Sequence, residues 1–270
     1  MKKLFKWGFL LLHTLIILLP FMLLLFTALK TPVEFSRNPV GWPAEVTFEN
    51  FKEVFVRGKI PKSFLTSVII LVGSVVGQIF AASLTAYALT KMNFAKSVLF
   101  QRIFLIPMVF SIQTVVVPLF VLYRVTGLLN SIAGLILIHI ATGLSTAIFI
   151  LTKFMAGISK EISEAAAIDG ANHIQSFFKI VLPLVSPAIV TVMILNGLGV
   201  WNDFYVSYMF FTDGKLTTLP LSIYQFMQTY NSQWVMIAAD IIYCIIPILI
   251  IYLILQKYII EGVAAGSVKG

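Results

Sequence analysis

Residues 164–183 begin Glu164-Ala165-Ala166-Ala167-Ile168-Asp169-Gly170, continue for nine residues, and end Ile180-Val181-Leu182-Pro183. This polar stretch lies between two apolar segments, and its residues dictate a local shape. Ser159 and Ser163 suit the N-cap of a short helix. Glu161 and Glu164 near its start favour the positive end of the helix dipole. Ala165, Ala166 and Ala167 form helix readily and add little bulk, so a second surface can come close. Gly170 can take the left-handed conformation that stops a helix. A second short helix is expected from about Asn172 to Lys179, with Ile174, Phe177 and Phe178 on its apolar side, and Pro183 is expected to break it. Helix, glycine turn and helix lying along a membrane surface suit two roles, an amphipathic connector on lipid headgroups or a docking surface for a partner.

The membrane follows from composition. The chain has 270 residues, 59% hydrophobic and 11% charged, with mean hydropathy +0.98. Ordinary soluble proteins carry roughly 25% charged residues. The net charge of +8 does not point to nucleic acid, because the basic residues are scattered at the ends of apolar segments, as membrane topology requires. One cysteine, Cys244, lies inside an apolar span, so no disulfide framework is expected. His13, His139 and His173 stand in no metal-binding spacing, and no metal site is expected.

A span needs about 20 mainly apolar residues, and six are expected, at about 8–29, 64–90, 99–122, 131–152, 187–210 and 234–256. Helices are the expected form, because irregular backbone cannot face lipid. The first run follows Lys2, Lys3 and Lys6 but is longer than a signal-peptide core and lacks a small-residue cleavage site, so it reads as a retained helix. Lys91, Lys96 and Arg102 surround the second connection, and Lys153, Lys160 and Lys179 mark the fourth. The third has only Arg124 and the fifth only Lys215. The positive-inside rule puts the second and fourth connections, and both termini, in the cytoplasm. The first connection, about 30–63, is the exception, with six Lys/Arg diluted by four Glu. The expected fold is an all-α integral membrane protein, one domain over 1–270, with six transmembrane helices and a cytoplasmic loop at 153–186.

Asp203 and Asp240 are the acidic residues inside the expected spans, toward their outer ends. Charges there usually face protein or water. Trp201, Asn202 and Asp203 together offer a flat apolar face with hydrogen-bonding groups, suitable for a sugar ring. The alternative is a structural hydrogen bond with Trp201 as an interface anchor, and Asp240 reads as structural. Ser83, Thr85, Ser111 and Thr114 read as packing residues, with Gln78 and Gln113 as further pathway candidates. Gly73-x-x-x-Gly77 reads as a packing motif, His139 as a satisfied buried donor, and Pro107, Pro118 and Pro247 as kinks.

The pattern E-A-A, three residues, G, nine residues, I-x-L-P resembles the signature loop of ABC importer permeases, with every fixed position filled. Residues 201–204 and the tail Glu261-Gly262-Val263-Ala264-Ala265-Gly266-Ser267-Val268-Lys269-Gly270 resemble carbohydrate-uptake permeases of the maltose-transporter type, specifically the shorter partner permease. The likeness covers at least 60–270. Asp203 stands where many relatives carry Glu, and Val263 and Ser267 vary within a tolerant tail.

The resemblance implies a pore built with a second, different permease, two ATPase subunits beneath it, and an extracytoplasmic sugar-binding protein delivering a carbohydrate. By carry-over, Glu164, Ala165, Ala166, Gly170, Ile180, Leu182 and Pro183 couple the pore to the ATPase. The tail, with Gly262, Gly266, Lys269 and Gly270, reaches the ATPase pair, and the loop near 213–233 meets the binding protein. This chain binds no cofactor, and ATP is used by the partner ATPase. In the maltose-type system the other permease makes most sugar contacts.

Two other classes compete. An ion-driven secondary transporter usually carries midplane charges on broken helices, whereas the acidic residues here lie near one face and no inverted repeat is visible. A membrane enzyme needs a nucleophile–base pair, a metal cluster or paired carboxylates, and none stands at a usable spacing. The expected protein is a non-catalytic subunit.

Overall fold

A computed structural model describes residues 2–92, 95–227 and 233–267. These are helical with turns and no strand, as apolar runs require where no water can satisfy the backbone. α1 (Lys2–Ala28) carries the first apolar run. α2 (Pro32–Arg37) and α3 (Glu49–Arg57) occupy the connection after it, and α4 (Ile60–Lys91) is a 32-residue helix. α5 (Ser97–Leu105) tightens into a 3₁₀ turn over Ile106–Val109, and α6 (Ile112–Val125) leaves at 96°.

The expected straight span at 99–122 is therefore a bent pair. Pro107 lacks the N–H that would continue the ladder, and Phe110 and Ser111 are extended. Pro118 lies inside α6, which continues through it. α7 (Ile132–Ala156) starts where the Ser131 hydroxyl accepts the Gly134 N–H at 2.9 Å.

α8 (Lys160–Ile168) and α9 (His173–Ser176) are the two short helices expected around Gly170. Pro183 does not end the second. A π turn over Phe177–Val181 leads into α10 (Leu182–Leu184), with the Leu182 N–H donating to the Phe177 carbonyl. The wider turn brings Pro183 to the start of a new α-turn, where its missing N–H is tolerated. The 71° bend falls after Leu184, before α11 (Ser186–Trp201).

The span expected at 187–210 also divides. α11 stops at Trp201, and α12 (Tyr205–Phe210) begins anew because the Asp203 carboxylate accepts the N–H groups of Val206 and Ser207, at 3.1 and 2.9 Å. α13 (Leu219–Ser222) precedes a 3₁₀ turn, and α14 (Trp234–Ser267) contains Pro247. Among the described residues, four helices are long and apolar enough to cross a bilayer, and the two bent pairs make six if each is one span.

The chain forms two compact units. The first comprises Met1–Thr66 and Thr217–Ile250. Here Lys30 is fully buried and donates from Nζ to the Asn38 carbonyl at 2.7 Å. Asn50 Nδ2 donates to the carbonyls of Ala28 and Lys30 at 2.8 and 2.7 Å, so the connection after α1 is tied down. Phe51 and Tyr243 meet edge to face, and Arg57 lies over the Phe226 ring. The apolar window of α1 has none of its residues buried, a surface suited to lipid or another apolar face.

The second unit comprises Ser67–Leu216 and Ile251–Gly270. Its core joins Ala82, Ala86 and Tyr87 of α4 to Ile148, Leu151 and Met155 of α7 and to Ala188 and Val192 of α11. Small residues let these helices approach closely; Gly73 and Gly77 face Ile136 and Ile140. Gly134 is tighter. A Cβ there would stand 2.3 Å from the Leu128 carbonyl oxygen, a backbone atom that cannot swing away. Gly134→Ala is expected to destabilise by about 1–3 kcal/mol, read as a lower unfolding temperature in detergent. An unchanged temperature would show that the turn before α7 yields freely.

Candidate functional site

Two features of the second unit are candidates. The first is the segment at Gly170. α8 closes with the Ala171 N–H donating to the Ala166 carbonyl at 2.9 Å around a positive φ of 77° at Gly170, a Schellman stop. α9 opens with a reciprocal capping box between Asn172 and Gln175. The segment is fixed from below. Lys91 Nζ donates to the Ile158 carbonyl at 3.0 Å, Tyr87 Oη lies 3.4 Å from His173 Nδ1, and the Tyr87 and Phe177 rings meet edge to face.

The sequence-predicted residues here fall into two groups. Glu164, Ala165, Gly170 and Pro183 are exposed. Ala166 is buried, and Ile180 and Leu182 are partly buried. Ile168 and Ile174 are 86% and 69% exposed. The segment thus rests on its own fold through Ala166, Phe177 and Val181 and presents small, acidic and branched apolar side chains outward.

The second feature is a cavity of about 750 Å³ among α4, α6, α7, α11 and the turns at 106–110 and 203–206. Gln78, expected as a pathway residue, is 1% exposed and lines it. Gln78 Nε2 donates to the His139 carbonyl at 2.5 Å, and its Oε1 accepts from Asn196 Nδ2 at 3.0 Å. Asn196 Nδ2 also donates to the Gly143 carbonyl at 3.0 Å. One amide pair therefore bolts three helices together.

Asp203 also lines the cavity. Its Oδ2 accepts from the Ser207 hydroxyl at 3.1 Å as well as from the backbone. His139 departs from its expected role as a satisfied donor. It is buried, its Nε2 has no hydrogen-bond partner, and the nearest carboxylate oxygen, Asp203 Oδ2, stands 3.7 Å away. That is too long for a hydrogen bond.

Trp201 is buried and does not border the cavity, and Asn202 is exposed. Gln113 is exposed, accepts from the Ser111 hydroxyl, and lies outside the cavity lining. Gly262 and Gly266 fall within α14. Lys269 and Gly270 lie outside the described residues, as do 228–232 of the connection before α14. Sequence reasoning missed Asn196, although a lone amide inside an apolar helix was a legible signal.

Apolar helices long enough to cross a bilayer, alone or as bent pairs, and a largely apolar cavity with a few polar side chains on its wall place the chain in the class of multi-pass α-helical membrane proteins. The profile of the family described as "Binding-protein-dependent transport system inner membrane component" matches residues 78–264, and the chain belongs to that family of ABC importer permeases. It is a membrane component that works with a binding protein and an ATPase. It is 34% identical to the melibiose/raffinose/stachyose import permease protein MelC of Bacillus subtilis, over 93% of this chain and 91% of the relative. It is 31% identical to the sulfoquinovosyl glycerol transport system permease protein SmoH of Agrobacterium fabrum, over 94% and 89%. Its fold matches a chain of a bacterial ABC transporter involved in the import of the acidic polysaccharide alginate, with a TM-score of 0.80 and 22% identity over 95% of this chain and 96% of that one.

Proposed function

We propose that this chain forms one half of the translocation pore of an ATP-driven importer for a sugar or oligosaccharide, paired with a second, different permease. The observation that carries the coupling half of this reading is the α8–Gly170–α9 segment. It offers Glu164, Ala165, Ile168 and Ile174 to a partner while Ala166 and Phe177 hold it to the core. A cleft on an ATPase subunit is the partner such a surface fits, with small residues admitting close approach and branched apolar ones filling the cleft. Gly262, Gly266, Lys269 and Gly270 are assigned to ATPase contact on the resemblance of the tail alone.

The carbohydrate reading draws on relatives named for sugar transport and on a cavity lined by amide, imidazole and carboxylate groups. The chain is non-catalytic and binds no cofactor itself; ATP is consumed by the partner. Both termini and the α8–α9 segment face the cytoplasm, following the basic residues of the short connections.

Purifying the chain with its partners in mild detergent tests this reading. Recovery of an ATPase and a second permease, with hydrolysis stimulated by sugar-loaded binding protein, is the expected result. Recovery of the chain alone, with uptake driven by an ion gradient, would replace it with the secondary-transporter reading.

A further inference from the structure

The cavity of the second unit contains a polar group that the fold leaves unused. The His139 side chain is about nine-tenths buried, lines the cavity, and has no hydrogen-bond partner at Nε2. Leaving such a group unpaired is costly, and around it the other polar groups are arranged with care. Gln78 and Asn196 are bonded to each other and to backbone. Asp203 Oδ1 accepts one hydrogen bond, from the Val206 N–H, and keeps a lone pair for another. His139 Nε2 stands 3.7 Å from Asp203 Oδ2, too far for a hydrogen bond. Oδ2 already takes the N–H and hydroxyl of Ser207, so a hydroxyl held by His139 turns to Oδ1, after a small turn of the imidazole that opens the enclosed Nε2. Such a hydroxyl accepts from the imidazole N–H and donates to the carboxylate. The rings of Phe110 and Tyr123 supply apolar lining, as sugar rings require. The volume, about 750 Å³, lies within the range of small-molecule sites.

We infer that this chain itself holds a substrate-contact site, in which His139 and Asp203 together bind a hydroxyl of an uncharged sugar and disfavour acidic ones. The selectivity follows from charge. Among the described residues that line the cavity there is no lysine or arginine, and Asp203 contributes a carboxylate. A uronate or sulfonate entering would meet a like charge with no lysine or arginine of this chain's lining to offset it, in surroundings where the repulsion is poorly screened. The inference rests on the sugar-importer reading above.

The test uses the full complex in proteoliposomes with its binding protein, offered a panel of neutral oligosaccharides and oligouronates. Wild-type complex is expected to take up neutral members and not uronates. His139→Leu should raise the half-saturating concentration about tenfold, and His139→Gln, which restores a donor, should recover most of the loss. Asp203→Asn keeps an acceptor for one of the two α12 N–H groups and should admit uronates. Uronate uptake by the wild type at the neutral rate, or a His139→Leu complex with wild-type saturation, would overturn the site. If His139→Leu does not assemble, the His139→Gln and Asp203→Asn complexes decide, and wild-type saturation and selectivity in both would overturn it. No response to any sugar would instead remove the sugar-importer reading itself.

Discussion

Gly170→Asp is expected to leave the protein in the membrane at its normal level and to stop uptake. The backbone at Gly170 has a φ of 77°, and the turn is closed by the bond from Ala171 to Ala166. A left-handed conformation costs an ordinary residue such as alanine about 1–2 kcal/mol and aspartate less, too little to unfold a membrane domain, so the added charge carries most of the expected effect. Crowding is not the reason, since a Cβ at Gly170 would meet nothing within 4 Å. That open space is the proposed docking face, so a carboxylate would add charge where the ATPase must approach. Three variants separate the two effects. Asparagine tolerates the left-handed region and is neutral, so Gly170→Asn should retain most uptake. Gly170→Ala pays the backbone cost without charge and should fall between. Uptake and sugar-stimulated ATP hydrolysis are measured at matched membrane levels. Normal uptake by Gly170→Asp would remove the docking role of this turn.

Ser222→Ala should produce the largest loss of stability among single hydroxyl deletions. Asp240 is fully buried, and the Ser222 hydroxyl reaches its two carboxylate oxygens at 3.0 and 2.9 Å. Removing that donor leaves a buried carboxylate without its bond, at a cost of about 1–3 kcal/mol or more for a charged group. The unfolding temperature of the detergent-solubilised chain should drop, while the affinity for sugar in assembled complexes stays the same. Asp240→Asn keeps an acceptor for Ser222 and removes the charge, so it should be neutral or stabilising. A Ser222→Ala protein as stable as wild type would mean that Asp240 is not held by this bond. The contrast bears on function too, because the pair fits the structural role expected for Asp240 and does not border the cavity.

The bent helices show where sequence patterns reach their limit. Hydropathy averages over a window, so 99–122 and 187–210 read as unbroken spans. Pro107 was visible as a kink, but the size of the bend, 96°, depended on Phe110 and Ser111 becoming extended. The break at 202–204 holds a polar pair, Asn202 and Asp203, which its apolar flanks average out. It exists because Asp203 caps a new helix, and that is a property of one carboxylate and two N–H groups in three dimensions. Pro183 was read as a helix breaker on propensity, and the π turn before it absorbed the missing donor.

The candidate residues divide on the same line. Gln78 and Asp203 were legible as polar groups in apolar surroundings, and both border the cavity. Trp201 and Gln113 were candidates in sequence too, yet one is buried away from the cavity and the other lies exposed outside it. Helical spacing alone does not say which face of a bent helix meets its neighbours.

The sequence by itself determined a membrane protein of long apolar helices, the helix–glycine–helix segment at 160–176, and the resemblance that the family match bears out, because these depend on composition and on residues close along the chain. Only the tertiary structure decided that Gln78, His139, Asn196 and Asp203 share one cavity, that Lys30 is buried on a backbone carbonyl, and that His139 Nε2 is left without a partner. Those facts turn on contacts between residues as many as 118 positions apart, as Gln78 and Asn196 are, and no local pattern encodes them.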